Sequence, residues 1–333
     1  MVGSRGPFDD TPVLSGRDPE TGDELWTVPG QTGRKSPIGT DKTFAYGFTK
    51  AAEAFAVDYR RGEVEWKVPI APIDEADPGV VQFAPIPLGD RVVVPVSGTE
   101  DDIPDRLETF DRATGEHMFD HDLASSLAGA PATDGVAVLV SLLDGTLRRI
   151  AADGTEDWRV DLGTPVSDVT IADGTAYVGS PTEHLLAVDV ATGDEQWRAP
   201  LENTLLTRPL VVGDRVFVGG ADYYLAAFDR ASGTRQWRTE LANAVTFGPT
   251  VVGDRLVTLV GGAGRHRGPG GTVPSSPTVL YVHDTAGEQI RQYRFEGYLE
   301  GGSVMWAVAT DDGVYLGQEW QLARLAQEVL NAE

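Results

Sequence analysis

Apolar and polar residues alternate in short runs along this chain, as in Arg215-Val-Phe-Val-Gly219 and Leu185-Leu-Ala-Val-Asp189. A period of two is strand patterning rather than helix patterning. The runs gather around an eleven-residue phrase, Ala187-Val-Asp-Val-Ala-Thr-Gly-Asp-Glu-Gln-Trp197, which occurs seven times. Ala56 to Trp66 and Ala227 to Trp237 keep its Ala, Asp, Gly and Trp, and Gly16 to Trp26 keeps Asp, Gly and Trp. Thr109 to Phe119 keeps Asp and Gly with Phe in place of Trp. Two copies are worn. Arg148 to Trp158 keeps Gly154 and Trp158 but has Ile150 where Asp belongs, and the copy around Gly287 lacks a residue and offers Tyr293 for the indole. The anchoring glycines are Gly22, Gly62, Gly115, Gly154, Gly193, Gly233 and Gly287, with gaps of 40, 53, 39, 39, 40 and 54 residues. A period near forty, filled by four short strands, is one propeller blade per repeat.

The phrase has a mechanical reading. Asp189 and Thr192 precede Gly193 at a tight hairpin turn, where short polar side chains bond the local backbone and Gly accepts positive φ. Trp197 then falls on the outer strand and Ala187 on its hairpin partner, the small residue leaving room for an indole in the seam between blades. One ring per blade distributes Trp26, Trp66, Trp158, Trp197 and Trp237 around a circle instead of gathering them at one stacking site. They are therefore expected to be structural.

With strands lettered A to D from the axis outward, the motif makes C, the turn and D. Residues 13–28 supply a C–D pair with no A–B pair before it, and the last A–B pair, Gly302 to Gly317, has no complete C–D pair after it. Head and tail are expected to share one blade, which closes a ring of seven and removes its edges. Trp320 to Ala326 resembles the C strand Tyr223 to Asp229 and competes with residues 13–16 for that slot, so eight blades is the alternative. The expected organisation is all-β: a single seven-bladed β-propeller over residues 13–325, between an arm (1–12) and a tail (326–333).

The pattern A-x-D-x-x-T-G-x-x-x-W resembles the tryptophan-docking motif of the PQQ-like β-propeller repeat family, which includes quinoprotein alcohol dehydrogenases and BamB-type outer-membrane assembly lipoproteins. The resemblance spans residues 13–325 and is specific to fold, because the motif recurs in phase. It leaves two functions open, since the family holds enzymes and non-enzymes on one scaffold. The BamB-type members imply a non-enzymatic scaffold that binds a protein or peptide. The dehydrogenases imply PQQ with calcium oxidising an alcohol or sugar, on a larger chain, usually of eight blades and in many members with an adjacent cysteine pair over the quinone. This chain has no Cys and little insertion from which to build a cofactor pocket. The scaffold reading is preferred, and no cofactor is expected. The resemblance also implies an extracytoplasmic or cell-surface location, although Met1 to Asp10 lacks the apolar core of a signal peptide.

Charge narrows the partners. Acidic residues number 51 against 27 basic, a formal net charge of −24. Nucleic acid is excluded as a partner, because phosphate neutralisation needs a basic face. The basic residues are 23 Arg and 4 Lys, and the acidic ones are spread through every repeat. Such a surface repels itself at low salt and is screened at high salt, which makes a halophilic archaeon the expected source. The absence of Cys excludes a disulfide scaffold, a thiolate zinc site and cysteine catalysis. The longest apolar stretch, Gly135 to Leu143, reads as a blade strand and not as a membrane span. A monomer is expected.

Three insertions lengthen two of the gaps. Ala71 to Gly79 joins strand D to the next A, Thr99 to Asp105 joins B to C, and Gly262 to Pro277 again joins B to C. Strands alternate in direction, so these connections leave one face, where propellers place recognition. The candidate partner-binding residues there are Arg265, His266 and Arg267, suited to a carboxylate or phosphate. Beside them stand Asp74, Glu75, Asp101 and Asp102, whose spacing is not that of a calcium loop. His117 and His121, placed by the strand period on one side, lie roughly 13 Å apart. That is too far for one ion without a bend. The chain contains no nucleophile elbow, phosphate loop or paired His-Glu helix motif, so no catalytic, cofactor-binding or metal-binding residue is expected.

Overall fold

The computed structural model describes residues 2–3, 14–18, 20–28, 37–49, 51–72, 81–98, 103–163, 168–180, 184–202, 205, 207–260, 267–268, 271–272, 278–295, 306–310, 313–318 and 321–324. Six sheets of four antiparallel strands follow one another, at residues 39–69, 86–122, 132–161, 169–200, 210–240 and 245–295. They are blades 1 to 6, and in each the strands A to D lie side by side in chain order. This is the β-propeller architecture that the repeat predicts. The head forms a three-stranded sheet from Val2–Gly3, Leu14–Arg17 and Glu24–Val28, and the tail another from Trp306–Thr310, Gly313–Gln318 and Gln321–Arg324. Trp320 to Ala326 thus does supply a C strand, paired with Gly313–Gln318, while the head keeps its own C–D pair. The chain forms two compact units, residues 1–165 and 166–333. Among the described residues no helix is long and apolar enough to cross a membrane.

Strands B and C are buried on both faces, which is why they read as near-continuous apolar runs: Arg91–Val96 is buried from Val92 onward. The D strands alternate between half-buried and exposed, as in His117–Asp122. Hydrophobic clusters consequently form between blades. In the first unit, Tyr46, Ala56 and Trp66 of blade 1 cluster with Val92, Val94 and Phe110 of blade 2. In the second unit, Tyr177, Ala187 and Trp197 of blade 4 cluster with Val216, Val218 and Phe228 of blade 5.

The motif builds these seams. Ala56 pairs with Trp66, Ala187 with Trp197, Ala227 with Trp237 and Gly16 with Trp26. A Cβ on Gly16 would fall 2.2 Å from Trp26 Cε2, so a small residue opposite the indole is obligatory there. Each ring then reaches into the next blade and lies on that blade's motif glycine. A Cβ would fall 2.5 Å from Trp26 at Gly62, 2.7 Å from Trp66 at Gly115, 2.5 Å from Trp197 at Gly233 and 2.6 Å from Trp237 at Gly287. Phe119 sits on Gly154 in the same manner. The indole N–H donates to the carbonyl of the residue after the next motif Asp: Trp26 to Tyr59 at 2.9 Å, Trp66 to Arg112 at 2.9 Å, Trp197 to Arg230 at 3.0 Å and Trp237 to Thr285 at 3.2 Å. The turn glycine therefore serves the preceding blade as well as its own hairpin.

The turn itself is closed by its aspartate. Asp189 Oδ1 accepts from the Ala191 and Thr192 amides at 2.9 Å each, and the Gly193 amide donates to the Asp189 carbonyl at 2.8 Å. The same arrangement recurs at Asp58, Asp111 and Asp229. These bonds, the Thr192 amide foremost, hold the Asp189 carboxyl below the usual carboxylate range. In the worn copies the Gly154 amide bonds the Ala151 carbonyl and the Gly287 amide the Asp284 carbonyl, one residue closer than in the other copies. Both have lost a residue before the glycine. Ala151, and not Ile150, therefore stands at the Asp position, and Arg291, opposite Val282, takes the indole's place. Tyr293, expected to replace the indole, lies two residues further along, opposite Leu280.

Replacing Gly115 (φ +71°) with Ala is expected to cost about 2–4 kcal/mol from ring displacement plus backbone strain. The same change at Gly135 (φ +92°), which has nothing within 4 Å, should cost about 1 kcal/mol. Equal losses in urea unfolding would show that the ring does not press on Gly115. His283 is fully buried, with no hydrogen-bond partner for either ring nitrogen among the described residues. Burial holds the ring below the ordinary histidine range, and Asp284 opposes this. The unfolded chain takes up the proton near pH 6.5 and the folded chain only at lower pH. Stability is then complete above about pH 6.5 and declines as pH falls through the interval down to the folded value. Melting temperatures from about pH 7 to pH 5 should fall less steeply in His283→Leu than in the wild type.

Candidate functional site

The stretches singled out as recognition loops leave corresponding ends of their sheets. In blade 2 the start of Ile86–Leu88, the end of Arg91–Val96 and the start of Arg106–Asp111 adjoin through antiparallel pairing, so the connection from blade 1 and residues 99–105 emerge at one end. Residues 261–277 leave the equivalent end of blade 6, between Arg255–Val260 and Thr278–Asp284. Arg265, His266, Asp74, Glu75, Asp101 and Asp102 lie outside the described residues. Arg267 belongs to the two-residue strand Arg267–Gly268, which pairs with Gly271–Thr272 as a small hairpin within the insertion.

The described part of this end of blade 2 is a buried polar floor. Asp105 is 4 % exposed; its Oδ2 accepts from Ser97 Oγ at 3.0 Å and from the Leu127 amide at 2.8 Å, and its Oδ1 from the Gly98 amide at 3.3 Å. One carboxylate thereby ties both stems of the 99–105 connection to the segment leading into blade 3. Beside it, the buried Arg106 guanidinium donates to the Ala71 carbonyl and to Glu108 Oε1. Burial pushes the Glu108 carboxyl up, Arg106 pulls it back, and the neighbouring Asp120 adds to the rise. None of the three appeared as a candidate from the sequence. The available signal was polarity at an inward position: aligned on the motif, Glu108 stands where blade 4 has Leu186.

The strand period misplaces one pair. A bulge between Thr109 and Phe110 sets His117 opposite Phe110 and His121 opposite Leu107, so the two imidazoles face opposite sides of the sheet. His117 Nε2 lies 2.8 Å from Asp120 Oδ1, and His121 Nδ1 lies 2.8 Å from the Gly154 carbonyl of blade 3. Trp26, Trp66, Trp197 and Trp237 lie in seams, each with its N–H bonded across.

The sequence model of the family described as outer membrane protein assembly factor BamB matches residues 10–140 and 143–268. The chain belongs to that family. No curated protein matches it. Among solved structures, BamB from Moraxella catarrhalis is similar with a TM-score of 0.71 at 17% identity, covering 97% of this chain and 89% of that one. A europium-containing methanol dehydrogenase is similar with a TM-score of 0.65 at 12% identity, covering 92% and 79%. The computationally designed Ika8 protein gives 0.55 at 14% identity, covering 88% and 97%. At these identities the likeness of this chain to each is one of fold.

Asp105→Ala is expected to lower stability by about 1–3 kcal/mol, because it leaves buried donors without an acceptor. Hydrogen exchange should accelerate selectively at the Gly98 and Leu127 amides. Unchanged exchange there would show that the carboxylate does not hold the connection.

Proposed function

We propose that this chain is a non-enzymatic scaffold that holds a protein or peptide partner at the insertion-bearing ends of its blades. The observation that carries the reading is the concentration of extra chain length at one end of the blades. Trp26, Trp66, Trp197 and Trp237 each lie on a neighbouring glycine with the N–H bonded to that blade's turn, a docking role common to the scaffold and enzyme members of the family. The motif turns at the other ends are held short by their aspartates. Length variation is therefore concentrated where residues 71–79, 99–105 and 262–277 emerge, on a rigid support. Kinship with a family described as an assembly factor supports the same reading.

The competing reading is a PQQ-dependent dehydrogenase acting on an alcohol or sugar, supported by the fold shared with the methanol dehydrogenase. Two measurements on the full chain separate them. Addition of PQQ and calcium should produce neither a saturable absorbance change nor dye reduction with alcohols or aldoses; saturable binding with turnover would replace the scaffold by the enzyme. Crosslinking in the native cell should retain a discrete partner, and this partner should be lost when residues 264–275 are replaced by two glycines without a change in melting temperature. Retention of the same partner by the shortened chain would remove that insertion from the binding surface.

A further inference from the structure

Glu108, His117 and Asp120 share one face of the C–D strand pair of blade 2. Glu108 lies directly opposite Asp120, and His117 lies opposite Phe110, the next residue on that face. One ligand atom from each of the three comes within 4.8 Å of the other two. Glu108 is fully buried; Arg106 holds its Oε1 and the Ala71 amide also stabilises the carboxylate, while Oε2 has no partner within hydrogen-bond geometry among the described residues. The side chains of His117 and Asp120 are 45% and 39% exposed. The grouping therefore has a buried carboxylate as its floor and two solvent-reachable ligands at its mouth.

We propose that this grouping binds one divalent transition-metal ion of the zinc class, with Glu108, His117 and Asp120 as its protein ligands. Two carboxylates and one imidazole, with a further position for water, form a donor set that suits zinc. The imidazole disfavours calcium and magnesium, which take oxygen ligands. Arg106 already pairs with the Glu108 charge; the ion satisfies the carboxylate oxygen that makes no hydrogen bond, and an unsatisfied buried polar atom is expensive to keep. His117 is already positioned, its ring held edge-on to Phe110 with centroids 5.5 Å apart. When Nε2 is the ligand, the ion takes the place of the proton now between Nε2 and Asp120 Oδ1, and the neutral ring carries its proton on Nδ1. The site belongs to blade 2 alone and does not depend on whether the propeller is a scaffold or an enzyme.

The test uses the untagged full chain, stripped with a chelator and titrated with zinc chloride by calorimetry, with melting temperature as a second readout. The expected result is one zinc per chain and a higher melting temperature in its presence. His117→Ala and Asp120→Asn, both at exposed positions, should melt like the wild type without metal but bind zinc at least about tenfold more weakly. Glu108→Gln tests the floor directly, but it also removes the negative charge paired with Arg106, so the two exposed variants carry the decision. His121→Ala, on the opposite face, should bind as the wild type does. Absence of stoichiometric binding, or binding that survives either exposed substitution, would overturn the assignment.

Discussion

An indole laid across the turn glycine of the next blade, with its N–H bonded to that turn, is the contact on which the rest of the structure depends. A four-stranded sheet with apolar residues on both faces cannot stand alone in water; it needs a neighbour on each side. One tryptophan buries roughly 200 Å², worth at most about 5 kcal/mol at 25 cal/mol per Å². The hydrogen bond adds only about 1 kcal/mol. Area gives the seam its strength, and the bond gives it a position, because the indole N–H of Trp26, Trp66, Trp197 and Trp237 meets the same carbonyl, the one after the motif aspartate. That is why the aspartate turn, the glycine and the tryptophan recur together. The aspartate fixes the turn, the turn presents the carbonyl and the bare glycine, and the ring of the preceding blade occupies both.

Blade 2 shows what happens when one part of this device is replaced. Phe119 lies on Gly154 as an indole would but has no N–H to donate. His121, two residues on and facing the same neighbour, places Nδ1 2.8 Å from the Gly154 carbonyl. The polar tie between the blades is kept by a different side chain on the same strand. His121 is thus a docking residue, and the bulge that turns it toward blade 3 is the same one that turns His117 toward Glu108 and Asp120.

The fold was legible in the sequence because its cause is local and repeated. Asp189, Gly193 and Trp197 act through turn chemistry and a two-residue strand period, and both follow from residue order. The place of the small residue opposite the indole followed in the same way. The second duty of Gly62, Gly115 and Gly233, receiving the ring of the preceding blade, was not legible, because it is a contact between repeats. The bulge was also hidden: one unpaired residue in strand D reverses the facing of everything beyond it, and no residue type in His117–Asp122 marks the slip. A missing residue before Gly154 shifted the aspartate position from Ile150 to Ala151 for the same reason, since an alignment anchored on glycine cannot tell on which side of it the turn has shortened. The inserted stretches were legible only as extra length, which says where variation is tolerated and not what it does.

Blade 2 also departs from its neighbours in what it buries. Where blade 4 sets Leu186, blade 2 sets Glu108, with Arg106 two residues before it and Asp105 beneath the 99–105 connection. Apolar side chains of similar volume would pack this seam at least as well, since a buried ion pair rarely repays the desolvation of its members. The departure therefore needs a cause other than the strength of the seam. Asp105 has one in the amides it binds, and Arg106 in the Ala71 carbonyl, which it holds at the mouth of the connection from blade 1. Glu108 has only half of one. Arg106 accounts for Oε1, while Oε2 has no partner within hydrogen-bond geometry among the described residues. In a fold whose blades are otherwise interchangeable, function is to be sought first where a repeat gives up the residue that its own packing would favour.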